Sequence, residues 1–358
     1  MSKGNAATNL VRPADLHAFC LQAMRLSGLK ESDAQTTAEV LVTTDTWGVH
    51  THGSKQLRPL LKNVRAGRLD INASPEIVRE GPGWALVDGH NAMPMVTSAL
   101  AMRTAMLKAR ACGIAYSGVF HSSHFGAAGY YATLAAQQDM IGLSMCNVDP
   151  CVAVPGGSGR VMGTNPIAFA VPAGEERPIF LDIATSAVAV SKVLAARFLG
   201  KSIPDTWLVD EDGVPTTDPN KYPDSASLLP MAGHKGYGLA LLVEVLAGAI
   251  TGAAMTRDIA CWIDDSPEKV NQGHAFVAVD VAAIMPLDEF KARIDGLIRS
   301  IKESPKAKGS QRIYLPGEME WEKRERALQQ GMALPDDVWA NLQGVAADTG
   351  ADLSIIRQ

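Results

Sequence analysis

The spacing of apolar positions divides the chain into a helical opening, a long alternating middle and a helical close. Leu16, Phe19, Cys20 and Met24 recur at helical spacing behind Pro13, a favourable residue for a first helical turn, and the run stops near Gly28. Ser32 and Gln35 read as a capping box that opens a second helix, with Ala38, Leu41 and Val42 as its apolar stripe and Gly48 as its end. A third helical stretch runs from Leu57 to Ala66 and stops at Gly67. After Pro75 the period falls to two, which predicts strands over 76–80 and 84–88 around a Gly81-Pro82-Gly83 turn.

From Pro94 the two periods alternate. Helices are expected over 94–111, over 127–138 and from Ala187, and strands over 114–120, 141–147, 167–171 and 179–183. A polar segment rich in Asp and Pro, 205–224, then precedes a long helix from Gly236, a strand over 275–280 and a final helical region from Leu287. Such alternation predicts an α/β fold whose sheet is layered by helices. The switches of period place a first helical part at 1–75, a central α/β domain at 76–285 and a C-terminal helical part at 286–358.

At 358 residues, 47% of them hydrophobic, the chain can bury a large core. Its net charge of -5 is mild and the charges are interspersed, so neither nucleic acid nor an anionic membrane is an expected partner. Residues 1–15 contain no apolar run that could serve as a leader, and the apolar stretch 236–254 is interrupted by Glu244, so the cytoplasm is the expected location. Cys20, Cys112, Cys146, Cys151 and Cys261 are odd in number and scattered, which predicts reduced, buried thiols rather than disulfides or a zinc pattern.

Four of the eight histidines fall in two tight groups, His50-Thr51-His52-Gly53 and His121-Ser122-Ser123-His124-Phe125-Gly126. Histidine is the side chain that exchanges protons most readily near neutral pH, as interconversion of an alcohol and a carbonyl requires. Two other readings stand beside this one: polar loop packing, and a metal-dependent lyase or hydrolase built on the histidines. No helical His-x-x-x-His or Cys-x-x-Cys accompanies them, so no metal ligand is expected. Gly-rich turns occur at 155–159, 163–166 and 233–238, the last with Lys235 at the mouth of an apolar helix, a place that attracts anions. A dinucleotide-binding Gly-x-Gly-x-x-Gly in a strand-turn-helix frame is missing, as are a P-loop and a Gly-x-Ser-x-Gly elbow.

Taken in order, six segments resemble the malate/L-lactate dehydrogenase family, whose fold is not the Rossmann fold. They are Asp45-Thr46-Trp47-Gly48-Val49-His50-Thr51-His52-Gly53, Ser122-Ser123-His124-Phe125-Gly126, Gly163-Thr164-Asn165-Pro166, Leu181-Asp182-Ile183-Ala184-Thr185-Ser186, Ile203-Pro204-Asp205-Thr206-Trp207 and Gly233-His234-Lys235-Gly236-Tyr237-Gly238. The resemblance implies a helical domain formed by both chain ends, a mixed-sheet domain holding NAD or NADP, and a homodimer. It implies hydride transfer between a nicotinamide and C2 of a small 2-hydroxy or 2-oxo acid, with reduction of a cyclic imine acid as the alternative. Carried over by position, it makes His52 and His124 the candidates for proton transfer, with His124 favoured as base, and Asp149 a carboxylate that orients a histidine. It puts Thr51, Gln56 and Val148 near the substrate. It assigns Asp182, Ile183, Ala184, Lys235, Gly236, Arg293, Gly317 and Glu318 to the cofactor.

The chain also departs from the family pattern. Trp47 stands where an arginine is usual, Thr51 where a serine is usual, and Gln56 and Leu60 where an arginine and a tyrosine contact substrate in relatives. Glutamine cannot imitate a bidentate arginine toward a carboxylate, and Lys55 and Arg58 are the nearby cations expected to compensate. A member that keeps the fold and cofactor but has lost catalysis is a further alternative.

Overall fold

The computed structural model describes residues 10–357; the run 1–9, most of the stretch read for a leader, lies outside them. Strand β1 (Leu10–Val11) leads into α1 (Pro13–Leu26), which buries Leu16, Phe19, Cys20 and Met24 as its spacing predicts. Helix α2 (Glu31–Thr46) follows, then two 3-10 turns, His50–His52 and Ser54–Gln56, and α3 (Leu57–Arg65). The predicted capping box does not form. Extended Lys30 is the N-cap, so the helix starts ahead of Ser32, and Gln35 donates to Glu31 instead. Glu31 and Asp33 in the first turn favour that start through the helix dipole.

The middle of the chain supplies β2 (Glu76–Gly81), β3 (Trp84–Asp88), α4 (Pro94–Cys112), β4 (Ile114–Ser122), α5 (Ala128–Ala136), β5 (Met140–Cys146), β6 (Val152–Ala153) and β7 (Arg160–Met162). It continues through β8 (Ile167–Val171), β9 (Ile179–Ile183), α6 (Val190–Phe198), β10 (Leu208–Asp210), β11 (Pro215–Thr216), β12 (Ala226–Leu228), α7 (His234–Val243) and β13 (Gln272–Asp280). Helices α8 (Leu287–Lys302) and α9 (Glu318–Gln330), strand β14 (Met332–Ala333) and α10 (Asp336–Thr349) close the chain.

Seven strands form one mixed sheet in the order β2-β3-β4-β13-β5-β8-β9, with β3 and β4 parallel across the α4 crossover and the other neighbours antiparallel. Strand β9 is therefore an edge. A second sheet, β11-β10-β12-β6-β7, includes strands from the polar segment 205–224, where pieces of two or three residues are too short to show an alternation. Helices α4 and α5 pack on the large sheet, and α2 packs on α4, so sheet and helical layer share one continuous apolar core. The helical layer joins α1, α2 and α3 to α9 and α10, and β1 pairs with β14, so both chain ends build it. Helix α8 instead docks on a loop beyond β8, where buried Asp295 accepts from the backbone N–H groups of Gly174, Glu175 and Glu176.

Cys20, Cys146 and Cys151 are buried, but Cys112 at the end of α4 is exposed and Cys261 only half-buried, which corrects the expectation for those two. Among the described residues, no helix is long and apolar enough to cross a membrane.

Candidate active site

Asp45, near the end of α2, organises the first histidine segment. Its carboxylate is buried and accepts from His50 Nδ1 at 2.8 Å and from the Ser54 backbone N–H at 2.7 Å. It also explains Gly53, because a β-carbon there would come within 2.2 Å of Asp45 Oδ1. The chain is thereby folded back on the helix end, Gln56 Nε2 donates to the Thr51 carbonyl, and His52 is turned inward with its Nδ1 2.9 Å from Thr51 Oγ1.

The second segment lies where β4 ends. His121 is held by Asp88 at the end of the parallel neighbour β3, with Nδ1 to Oδ1 at 3.0 Å, and Asn271 Oδ1 accepts from its backbone N–H. Beyond it, the Ser123 carbonyl accepts from Nε2 of His274, a fully buried residue of β13. A carbonyl can only accept, so Nε2 of His274 carries the hydrogen and Nδ1 receives the Ser98 hydroxyl at 2.9 Å. Gly126 N–H donates to Nδ1 of His124 at 3.3 Å, which leaves Nε2 as the position that bears hydrogen in the neutral ring.

These two segments, far apart in sequence, bring the rings of His52 and His124 to 5.5 Å between centroids, and Trp262 stacks on His124 at 4.2 Å. Burial lowers the pKa of His52 below the ordinary histidine range. His124 is held well below that range, first by burial and then by the proximity of His52 and His274, and burial pushes His274 down to about 3. Neutral imidazoles are therefore the resting forms.

The chain runs from His124 directly into α5, whose Gly129 N–H donates to Asp182 Oδ2 of edge strand β9 at 2.7 Å. Asp182 stands at solvent but is crowded by protein, and desolvation pushes its carboxyl up to about 6. At the far end of β9, Gly236 presses α7 against the Thr185 and Met231 carbonyls, where a β-carbon would come within 2.8 and 2.3 Å. Lys235, the residue before Gly236, stands exposed in the first turn of α7. At the near end, Gly317 packs its backbone on Phe180. Of the eight residues carried over for the cofactor, Asp182 and Ile183 are on a strand of roughly 16 Å, Ala184 follows it, Gly317 packs on it at Phe180, and Gly236, with its neighbour Lys235, meets Thr185 just past its end. Its two ends are closely approached by glycine, and one carries a helix N-terminus with a lysine that has no carboxylate partner among the described residues. An extended dinucleotide with a central pyrophosphate fits that donor set.

Of the other two, Glu318 follows Gly317 at the Phe180 end of β9, and Arg293 lies elsewhere. Arg293 is on the exposed side of α8, turned from the Asp295 face. Buried Glu318 is engaged by Lys302, Arg312 and the Leu315 N–H, which together outweigh its desolvation and hold its pKa down. It lines a cavity of about 360 Å³ whose acids and bases largely pair with one another. Asp149, raised by desolvation, hydrogen-bonds Cys261, and the histidine rings are oriented by other groups. Val148 is fixed by its N–H to Asn165 Oδ1, and Asn165 and Asn147 both donate to buried Glu244, the residue that had read only as a break in an apolar run.

The two cations expected to compensate for Gln56 are engaged with α10 instead, Lys55 with Asp337 and Arg58 with Asp348. Trp47 packs against Phe180 and Trp321, and Leu60 is fully buried in the helical core. Asp45, His274, Trp262 and Glu244 escaped sequence reading as site residues. Only Asp45 had a signal, a carboxylate five residues before a histidine. Among the described residues, no three His, Cys, Asp or Glu side chains converge as metal ligands.

Comparison with known proteins agrees with this architecture. Residues 11–343 match the family model described as malate/L-lactate dehydrogenase. The chain is 35% identical over 360 residues to a malate dehydrogenase of Pyrococcus horikoshii, covering 98% of this chain and 99% of that protein. It is 35% identical to the ureidoglycolate dehydrogenase (NAD(+)) of Escherichia coli K12, covering 91% of this chain and 93% of that protein. The solved structure of a sulfolactate dehydrogenase from Methanocaldococcus jannaschii superposes with a TM-score of 0.90 at 33% identity, over 98% of this chain and all of that one. A match of this extent, on a mixed sheet with a helical layer from both chain ends, makes the chain an oxidoreductase of the malate/L-lactate dehydrogenase family.

Proposed function

We propose that the protein interconverts a small 2-hydroxy acid and its 2-oxo acid with NAD or NADP. The observation that carries this reading is the His52–His124 ring pair, one short turn of chain from the β9 edge. When bound, the nicotinamide supplies the hydride chemistry at C2. Asp182, Ile183, Ala184, Lys235, Gly236 and Gly317 would hold the cofactor along β9, with Lys235 and the α7 N-terminus facing its phosphates.

His124 meets the substrate oxygen through Nε2–H, as a neutral hydrogen-bond donor that polarises a carbonyl. His52 takes the hydroxyl proton in oxidation and returns it in reduction. The Gly126 N–H on His124 Nδ1 supports this division over the opposite one favoured from the sequence. Two adjacent imidazoles do not readily carry charge together, so a proton on His52 keeps His124 neutral. Thr51 and Gln56 hold the His52 turn, and Val148 lies on the strand-end loop anchored by Asn165.

A cytoplasmic homodimer completes the proposal. Leu239, Leu242, Val245 and Ile250, on and just after α7, are exposed, and an apolar surface of that kind is normally covered by another chain. Light scattering on the purified protein tests the dimer. The activity is tested by offering 2-oxo acids and cyclic imine acids with NADH and NADPH and following the nicotinamide absorbance. Turnover of a 2-oxo acid is expected, whereas imine turnover alone would move the assignment to the reductase alternative. Cofactor binding without turnover of any compound would mark a member that has lost catalysis.

A further inference from the structure

The third ring of the stack belongs to neither histidine segment. Trp262 lies 4.2 Å from His124 between centroids, with the planes 19° apart. It makes no ring contact with His52, so His124 is enclosed between the two. With both faces covered and Nδ1 taken by Gly126, the Nε2 edge is what His124 presents to a substrate.

Trp262 is itself held from the helical layer. Its carbonyl accepts from Asn63 Nδ2 of α3 at 2.9 Å. Arg68, 3% exposed, donates to the carbonyls of Cys261, Asp264 and Glu268 at 2.5, 3.1 and 2.9 Å. The same guanidinium pairs with the Asp264 carboxylate at 3.3 Å, and its bonds to the loop fix the path of that loop, because each lost one would leave a charged donor unsatisfied.

We propose that Trp262 is a positioning residue of the reaction: it fixes His124 with only its Nε2 edge open and keeps water off that ring, while Asn63 and Arg68 hold Trp262 in place. The role rests on the hydride-transfer reading above, so the first test needs no turnover. An imidazolium quenches a stacked indole more than a neutral imidazole does. The fluorescence of the wild-type protein minus that of Trp262→Phe should therefore titrate with His124, below the ordinary histidine range. The titration should vanish in His124→Ala. A difference signal that does not titrate, or one that persists in His124→Ala, overturns the stack.

The second test is the pH profile of kcat/KM in the reducing direction, where His52 must hold its proton and the acid limb reports protonation of His124. Trp262→Ala should admit water and move the acid limb upward by roughly 1 unit, and Trp262→Phe should restore the wild-type limb. Asn63→Ala, which leaves the indole intact but frees its backbone, should move the limb the same way by less, and it serves if Trp262→Ala does not fold. A uniform fall in kcat with an unmoved limb would mean that Trp262 only supports the fold. Full turnover in His124→Ala would instead remove the role given to His124 and leave the fluorescence result standing.

Discussion

In His50-Thr51-His52 and in His121-Ser122-Ser123-His124 the first histidine pairs with a carboxylate and the second turns toward the ring stack, but the carboxylates sit in different surroundings. The Asp45 side chain is 0% exposed and its partner His50 21%, whereas Asp88 is 13% exposed and His121 46%. A pair cut off from water cannot replace a lost partner, while one that reaches water can. The first clamp is thus a fixed joint between α2 and the His52 turn. The second is a looser tether, and the His124 turn takes its definition from His274 and Gly126 instead.

The largest expected effect lies past both clamps, at the rings. His124→Ala and His52→Ala should each lower kcat/KM by about 10²- to 10⁴-fold, read in steady-state kinetics once a substrate is in hand. Near-normal rates in both would break the comparison at its root, since neither clamp would then be positioning anything.

Next in size is the contrast between the clamps. Asp45→Ala should cost about 2 to 3 kcal/mol in chemical denaturation, because it leaves the buried Ser54 N–H without an acceptor and His50, only 21% exposed, without its carboxylate. Asp88→Ala should cost about 1 kcal/mol or less. Equal losses would erase the distinction between joint and tether.

A pH series sharpens it further. His52, His124 and His274 have folded-state pKa values below the unfolded one, so the unfolded chain binds more protons once the pH falls under about 6.5. Stability is accordingly full above that pH and declines as the pH drops, each neutral histidine contributing a slope of about 1.4 kcal/mol per unit until its folded pKa is reached. Denaturation midpoints at pH 7, 6 and 5 check the sign, and His274→Phe should flatten the decline.

The smallest effect belongs to the β9 edge. Lys235→Met should weaken NAD(H) or NADP(H) binding by about 5-fold, with kcat at saturating cofactor unchanged. An unaltered dissociation constant would remove Lys235 from the cofactor site.

Much of the fold was legible because its elements are long. Strands β8 and β9 fall where alternation predicts them, and α1 buries the residues its spacing selects. The short strands of the second sheet were not legible, since two or three residues carry no period. The ring pair was half legible: both histidines stand out as types, but nothing local sets them 5.5 Å apart.

By itself the sequence determined the helical and alternating regions, the two histidine segments and the family that their order resembles. The partners were decided only by the tertiary structure. Lys55 and Arg58 look available in the sequence and are taken by Asp337 and Asp348. Glu244 looks like an interruption and is a buried acceptor for two asparagines. Trp262, nearly 140 residues from His124, forms the wall of its ring. The physical reason is range: helix and strand periods arise from neighbours along the chain, whereas which donor meets which acceptor, and which ring covers which, depends on the packing of elements far apart in sequence.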